Sequence, residues 1–233
     1  MVSVVPCSME DFTFDASDFL AADDTALEFN IADFDLSDIG NVNTRYCKPR
    51  FPKKPVTVQY DYAEQLARDI QLYPGEQLHC IVGGNFIFGD IFEALLSAKN
   101  VIAKSMHVST LSLSQNNIDS FRTLLEHGWT EHLTVAISNY FYSHERNNMI
   151  PYMLQQLDID DRFDLMVFRN HTKLTLMEIG NIKLVMTGSA NLRSSRSVEQ
   201  FALQESGELY DFYRTWFDEQ MEKHSIINKE VPV

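Results

Sequence analysis

From Leu78 onward, short apolar runs alternate with stretches whose apolar residues recur at helical spacing. The runs LHCIVG (78–83), HLTVAIS (132–138) and FDLMVF (163–168) have strand length, as does the core of NVIAKSMHVST (100–110). Between them, Phe88–Ala98 places Phe88, Ile91, Phe92, Leu95 and Leu96 on one helical face. Ser114–His127 does the same with Ile118, Phe121, Leu124 and Leu125, and Gly128 closes it. A helix is predicted over 144–157, interrupted near Pro151, and another over Glu208–Lys223 with Leu209, Phe212, Tyr213, Trp216, Phe217 and Met221 on one side. Upstream, VTVQY precedes a helix over Ala63–Leu72. Such alternation predicts an α/β domain, a mixed β-sheet sandwiched between helices.

The chemistry concentrates in residues 171–191, HTKLTLMEIGNIKLVMTGSAN. LTLMEI and KLVMT flank the turn pair Gly180-Asn181, so the segment reads as a hairpin. His171 and Lys173 are two apart, on one face of an extended backbone. After the second run stand Gly188, Ser189 and Asn191, where the chain turns and exposes small polar groups. An imidazole, an ammonium, a hydroxyl and a carboxamide at adjacent strand ends suit a phosphate diester: the imidazole attacks phosphorus or donates a proton, and the others hold the oxygens. EQFALQ (199–204) reads as one more strand.

This pattern resembles the signature of the phospholipase D superfamily: H-x-K, four residues, an acid, a spacer, then G-S-x-N. Here it runs His171-Thr172-Lys173, Glu178, then Gly188-Ser189-Ala190-Asn191. Glu178 stands where the family has Asp, and the spacer is longer than the common one, which suits a longer hairpin. Glu178 differs in parity from His171, so on a regular strand it faces away from the reacting groups and has a supporting role; Gly188 is the other supporting residue. Glu199 matches a second acid found downstream in single-motif nucleases of the superfamily. The resemblance covers about residues 56–224 and implies a phospholipase D-like fold. It implies His171, Lys173, Ser189, Asn191 and Glu199 as catalytic residues, Glu199 orienting His171 through its second ring nitrogen. The family's chemistry needs two H-x-K motifs and this chain has one, so the resemblance implies a homodimer in which the two His171 side chains meet.

Other chemistries lack their residue patterns. The seven histidines include no H-E-x-x-H and no His/Cys set at zinc spacing, so neither metal nor other cofactor is expected. Gly188-Ser189-Ala190-Asn191 is not the G-x-S-x-G elbow. Gly83-Gly84-Asn85 lacks the residues of a nucleotide loop and reads as a tight turn. Cys7, Cys47 and Cys80 form no disulfide framework, and the N-terminus lacks signal-peptide character, so a cytoplasmic location is expected.

Charge divides the chain. Residues 1–44 hold ten of its 33 acidic residues and none of its 19 Lys and Arg. DFTFDASDFL and ALEFNIADFDLSDI interleave those acids with phenylalanines, without sustained periodicity. This reads as an acidic disordered tail that solvates, docks on a protein partner, or masks the cleft by imitating phosphates and stacked bases. Residues 45–55, RYCKPRFPKKP, read as a basic, proline-rich linker, and 56–233 as the phospholipase D-like domain.

No basic amphipathic surface helix points to a membrane, so a nucleic-acid phosphodiester, DNA before RNA, is the favoured substrate. Arg193, Arg196, Lys183 and Arg169 are the candidate contacts to flanking phosphates. The loops STLSLSQNN and SNYFYSHERNN follow predicted strands and stand where ligands gather on open sheets. Two other readings stay open: an inactive nucleic-acid-binding or interaction module of the same fold, and a phospholipid hydrolase. Deleting residues 1–44 is expected to raise DNA affinity and cleavage if the tail masks the cleft; unchanged values in binding and nuclease assays eliminate masking.

Overall fold

The computed structural model describes residues 57–60, 63–70, 75, 77–82, 89–189, 191–192 and 198–225. The chain divides into Met1–Tyr46 and Cys47–Val233, and every described residue lies in the second unit. The acidic tail and the basic linker read from the sequence therefore lie outside the described residues.

One eight-stranded mixed sheet runs in the order β1-β2-β8-β7-β6-β3-β4-β5. Its strands are β1 (Thr57–Tyr60), β2 (Gln77–Val82), β3 (Ser105–Ser109), β4 (Leu133–Ser138), β5 (Phe163–Phe168), β6 (Leu174–Ile179), β7 (Ile182–Gly188) and β8 (Glu199–Glu205). The helices are α1 (Ala63–Asp69), α2 (Asp90–Lys99), α3 (Gln115–Glu126), α4 (Asn139–His144), α5 (Met149–Leu157) and α6 (Gly207–His224). Three helix-linked pairs are parallel, β1 with β2, β3 with β4, and β4 with β5, while α2 carries the chain from β2 across the sheet to β3. The centre is antiparallel: β6 lies between β3 and β7, and β8 joins β7 to β2.

The predicted hairpin is β6–β7. Ile179 faces Ile182 across Gly180-Asn181, and Gly180 takes φ 58°, which a residue without Cβ adopts at little cost.

Alternating side chains divide between two cores. Met106, Val108, Leu133, Val135, Phe163 and Leu165 meet Leu66, Phe92, Leu95, Ile118, Phe121 and Met153 of the helices on one face. On the other, Ala136, Met166, Leu174, Leu176 and Val185 pack beneath Tyr210 and Phe217 of α6. Helices thus cover both faces, as the alternation predicts.

Three details differ from the sequence expectations. The break predicted near Pro151 falls at 145–148, between α4 and α5. Pro151 sits in the first turn of α5, where its missing N–H has no helical partner to lose. On α6 the buried stripe is centred on Tyr210 and Phe217, while Phe212 lies outside it, against Tyr213. The α2 helix begins at Asp90, and Phe88 lies outside the described residues.

The second core contains a buried histidine. His107 is 3% exposed, and its Nε2 accepts from the Arg214 guanidinium at 2.7 Å. Arg214 also pairs with Asp218 at 2.8 Å. Burial first, then Arg214 and His132, push the His107 imidazole down to about 3. The unfolded chain binds that proton near pH 6.5 and the folded chain does not, so stability falls as pH drops from about 6.5 toward 3. Urea midpoints at pH 7 and pH 4.5 are expected to separate further for wild type than for His107→Gln.

Candidate active site

The register of the antiparallel strands assembles the site. Lys173 immediately precedes β6, Ser189 follows the end of β7, and Glu199 opens β8. Leu174 faces Thr187 and Gly188 faces Phe201, so all three positions reach the same end of the sheet. The Gly188 N–H donates to the Lys173 carbonyl at 3.4 Å, tying the two motifs directly. Gly188 is required by space: a Cβ there meets Gln200 O at 2.5 Å and the Phe201 Cβ at 2.7 Å.

His171 and Lys173 come together as the spacing predicts. Lys173 Nζ lies 3.1 Å from His171 Nδ1 and 3.2 Å from the His171 carbonyl oxygen. An ammonium only donates, so Nδ1 is the acceptor and the neutral imidazole carries its proton on Nε2. In that tautomer Nε2 presents an N–H, whereas attack on phosphorus needs the Nε2 lone pair. Burial lowers the Lys173 pKa, with the Glu199 carboxylate opposing that shift. Lys173 and Glu199 therefore feel one another across the site.

Glu199 is differently engaged from the sequence expectation. Its Oε2 accepts a short hydrogen bond from Ser189 Oγ, while His171 Nδ1 is taken by Lys173. Ser189 is locked further to β8: its N–H donates to Gln200 O at 2.9 Å, and its Oγ accepts from Gln200 N at 3.1 Å. The Glu199 carboxylate and the Ser189 hydroxyl thus form one unit beside the imidazole and ammonium.

Asn191 is half-buried, and its Oδ1 has no partner among the described residues. The next residue is anchored. Leu192 is 2% exposed, and its carbonyl accepts from Asn117 Nδ2 at 3.1 Å and from Gly89 N at 3.2 Å. Asn117, itself 1% exposed, takes the Ser114 N–H on its Oδ1 at 2.9 Å, so the start of α3 holds the end of the G-S-x-N segment.

The remaining candidates separate. Glu178 lies near the opposite end of β6, in an ion pair with Lys104 at 3.5 Å, so it supports the hairpin rather than the site. Lys183 faces Glu178 in the register and bonds to Asp211 at 2.6 Å; the structure does not bring it to the site. Arg169 stands exposed beyond β5, two residues from His171. Arg193 and Arg196 lie outside the described residues.

One part of the site went unread in the sequence. Asn170, 4% exposed, donates from Nδ2 to Ser109 Oγ at 2.8 Å, Ala136 O at 3.2 Å and Thr110 O at 3.3 Å. Its Oδ1 accepts from Thr172 N at 2.9 Å and from Thr172 Oγ1 at 2.8 Å. Its only sequence signal is adjacency to His171, because a buried asparagine at a strand end breaks no periodicity. Ser109 does belong to the STLSLSQNN loop singled out above.

No protein-family model matches this chain, and no curated protein matches it by sequence. Among solved structures it is similar to a phospholipase D family member, Nuc from Salmonella typhimurium, at 13% identity over 64% of this chain and 97% of that one, TM-score 0.47. It is similar to NucT from Helicobacter pylori at 12% identity, over 64% of this chain and 98% of that one, TM-score 0.44. It is also similar to phosphatidylserine synthase from Haemophilus influenzae at 13% identity, TM-score 0.46, over 66% of this chain but 40% of that one.

Gly188→Ala is expected to force β7 and β8 apart, lowering stability by about 1–3 kcal/mol in urea denaturation and weakening the Ser189–Glu199 unit.

Proposed function

We propose that this chain is a phosphodiesterase of the phospholipase D type, acting on nucleic acid without a metal and completing its site by homodimerisation. The observation that carries the reading is the contact of His171 Nδ1 with Lys173 Nζ at 3.1 Å, beside the Ser189–Glu199 pair at the same sheet end. Lys173 and Asn191 suit the non-bridging phosphoryl oxygens, the first by charge and the second by its amide.

In this scheme Nε2 of one His171 attacks phosphorus, a P–N bond forms, and the P–O bond to the leaving nucleotide breaks. The His171 of a second copy gives that oxygen its proton, then takes one from the water that hydrolyses the phosphohistidine. Lys173 leaves the imidazole for the phosphate when substrate binds. The attacking ring then takes its other tautomer, its proton passing from Nε2 to Nδ1 through solvent, and that Nδ1 proton needs an acceptor, the role assigned to Glu199. Nucleic acid is favoured over lipid because Arg169 is exposed two residues before His171, and Arg193 and Arg196 follow the G-S-x-N segment.

DNA cleavage in EDTA by the full chain tests this. Wild type is expected to cleave and to sediment as a dimer, and His171→Ala to lose about 1000-fold or more in kcat. Salt-dependent DNA binding without turnover, unchanged in His171→Ala, supports the inactive binding module instead. Turnover of phospholipid vesicles without DNA cleavage supports the lipid hydrolase.

A further inference from the structure

We infer that Asn170, Ser109 and Thr172 form a closed hydrogen-bonded ring that positions His171 and Lys173. This inference rests on the reading of His171 as the reacting group. The direction of each bond follows from its neighbours. Asn170 Nδ2 points at two carbonyl oxygens, Thr110 O and Ala136 O, which accept only; the amide face is thereby fixed. Nδ2 also donates to Ser109 Oγ at 2.8 Å. Thr172 Oγ1 gives its proton to Asn170 Oδ1 at 2.8 Å, so the 2.5 Å contact between Ser109 and Thr172 has Ser109 Oγ as donor. The circuit runs Asn170 to Ser109 to Thr172 and back to Asn170, each hydroxyl donating once and accepting once. Bonds arranged head to tail polarise one another, and the low local dielectric around a buried amide strengthens them.

Geometry gives the ring its consequence. Residues 170–173 belong to no strand, and such connections are ordinarily mobile. Here Asn170 is buried against the ends of β3 and β4, and Thr172, exposed like His171, is bonded through its hydroxyl to Ser109 and Asn170. Fixing the residues on either side fixes the backbone of His171 and the direction of its Cβ. Lys173, which follows, is held by its carbonyl to Gly188 N. Asn170, Ser109 and Thr172 are thus positioning residues, acting through His171. A displacement of a reacting group by about 1 Å costs up to about 100-fold in rate, so even partial loss of the ring is measurable.

The test uses the full chain, bis(p-nitrophenyl) phosphate and DNA as substrates, and isosteric changes at exposed Thr172. Thr172→Val, which keeps the shape and removes the hydroxyl, is expected to lower kcat about tenfold with KM within about twofold. Thr172→Ser is expected to stay within about twofold of wild type in both. Ser109→Ala repeats the loss, and the Thr172→Val/Ser109→Ala double variant loses no more than either single, because one ring breaks once. The second readout is the NMR order of the His171 Cε1–H bond, which is expected to fall in Thr172→Val and to be kept in Thr172→Ser. Unchanged kcat and unchanged ring order in Thr172→Val overturn the inference, as does an equal loss in Thr172→Ser. Wild type that turns over neither substrate sinks the phosphodiesterase reading alone, and the order measurement then decides the ring.

Discussion

The pairing of β6 with β7 and of β7 with β8 is the constraint on which the site depends. Leu174 against Thr187 and Gly188 against Phe201 bring together residues far apart in sequence. Side chains on a strand alternate with period two, so a slip of one residue in either pairing turns the hydrophobic set over and swings Ser189 away from Glu199. The two-residue turn at Gly180-Asn181 pins the first register. The absence of a Cβ at Gly188 lets β8 come close enough to pin the second. The supports of the chemistry are thus steric and local.

The outer strands serve the same end in another way. The parallel pairs β3–β4–β5 direct their carboxyl ends toward the site, where Ser109, Thr110 and Ala136 meet Asn170. The antiparallel strands bring the proposed reacting groups to one end, and the parallel ones supply the seat for the segment that carries His171. A purely parallel sheet has no β6–β7 hairpin to join the two motifs, and a purely antiparallel one lacks the helix-linked strands of that seat.

Much of this was legible in the sequence, for reasons that vary by element. The apolar runs at β4, β5 and β6 and the stripes of α2 and α3 are strongly periodic, and periodicity is the signal that burial leaves. His171, Lys173, Ser189 and Glu199 were legible as a motif, and the structure brings them to one sheet end. The partner of Glu199 was not, because a carboxylate near both a hydroxyl and an imidazole is assigned by distance alone. Lys183 is a candidate by nearness in sequence, yet the strand carries it toward Asp211 at the opposite end. Asn170 was illegible because polar residues at strand ends ordinarily read as loop, and its burial arises from β3 and β4, far away in the chain. The sequence points to a helix break near Pro151 because proline interrupts helices, although that cost vanishes in a first turn.

The Lys173–His171 contact has a consequence for symmetry. With Nδ1 facing an ammonium, Nε2 carries a proton and not the lone pair that attack on phosphorus requires. In the proposed dimer, two identical rings would meet one phosphate in that same tautomer. A reaction that needs one nucleophile and one proton donor has to become asymmetric, and a two-fold axis offers no preference for either side. In the proposed nucleic-acid substrate, the distinct 3′ and 5′ ends are what differs along that axis. Strand polarity, through the lysine it draws away first, would then choose which imidazole attacks.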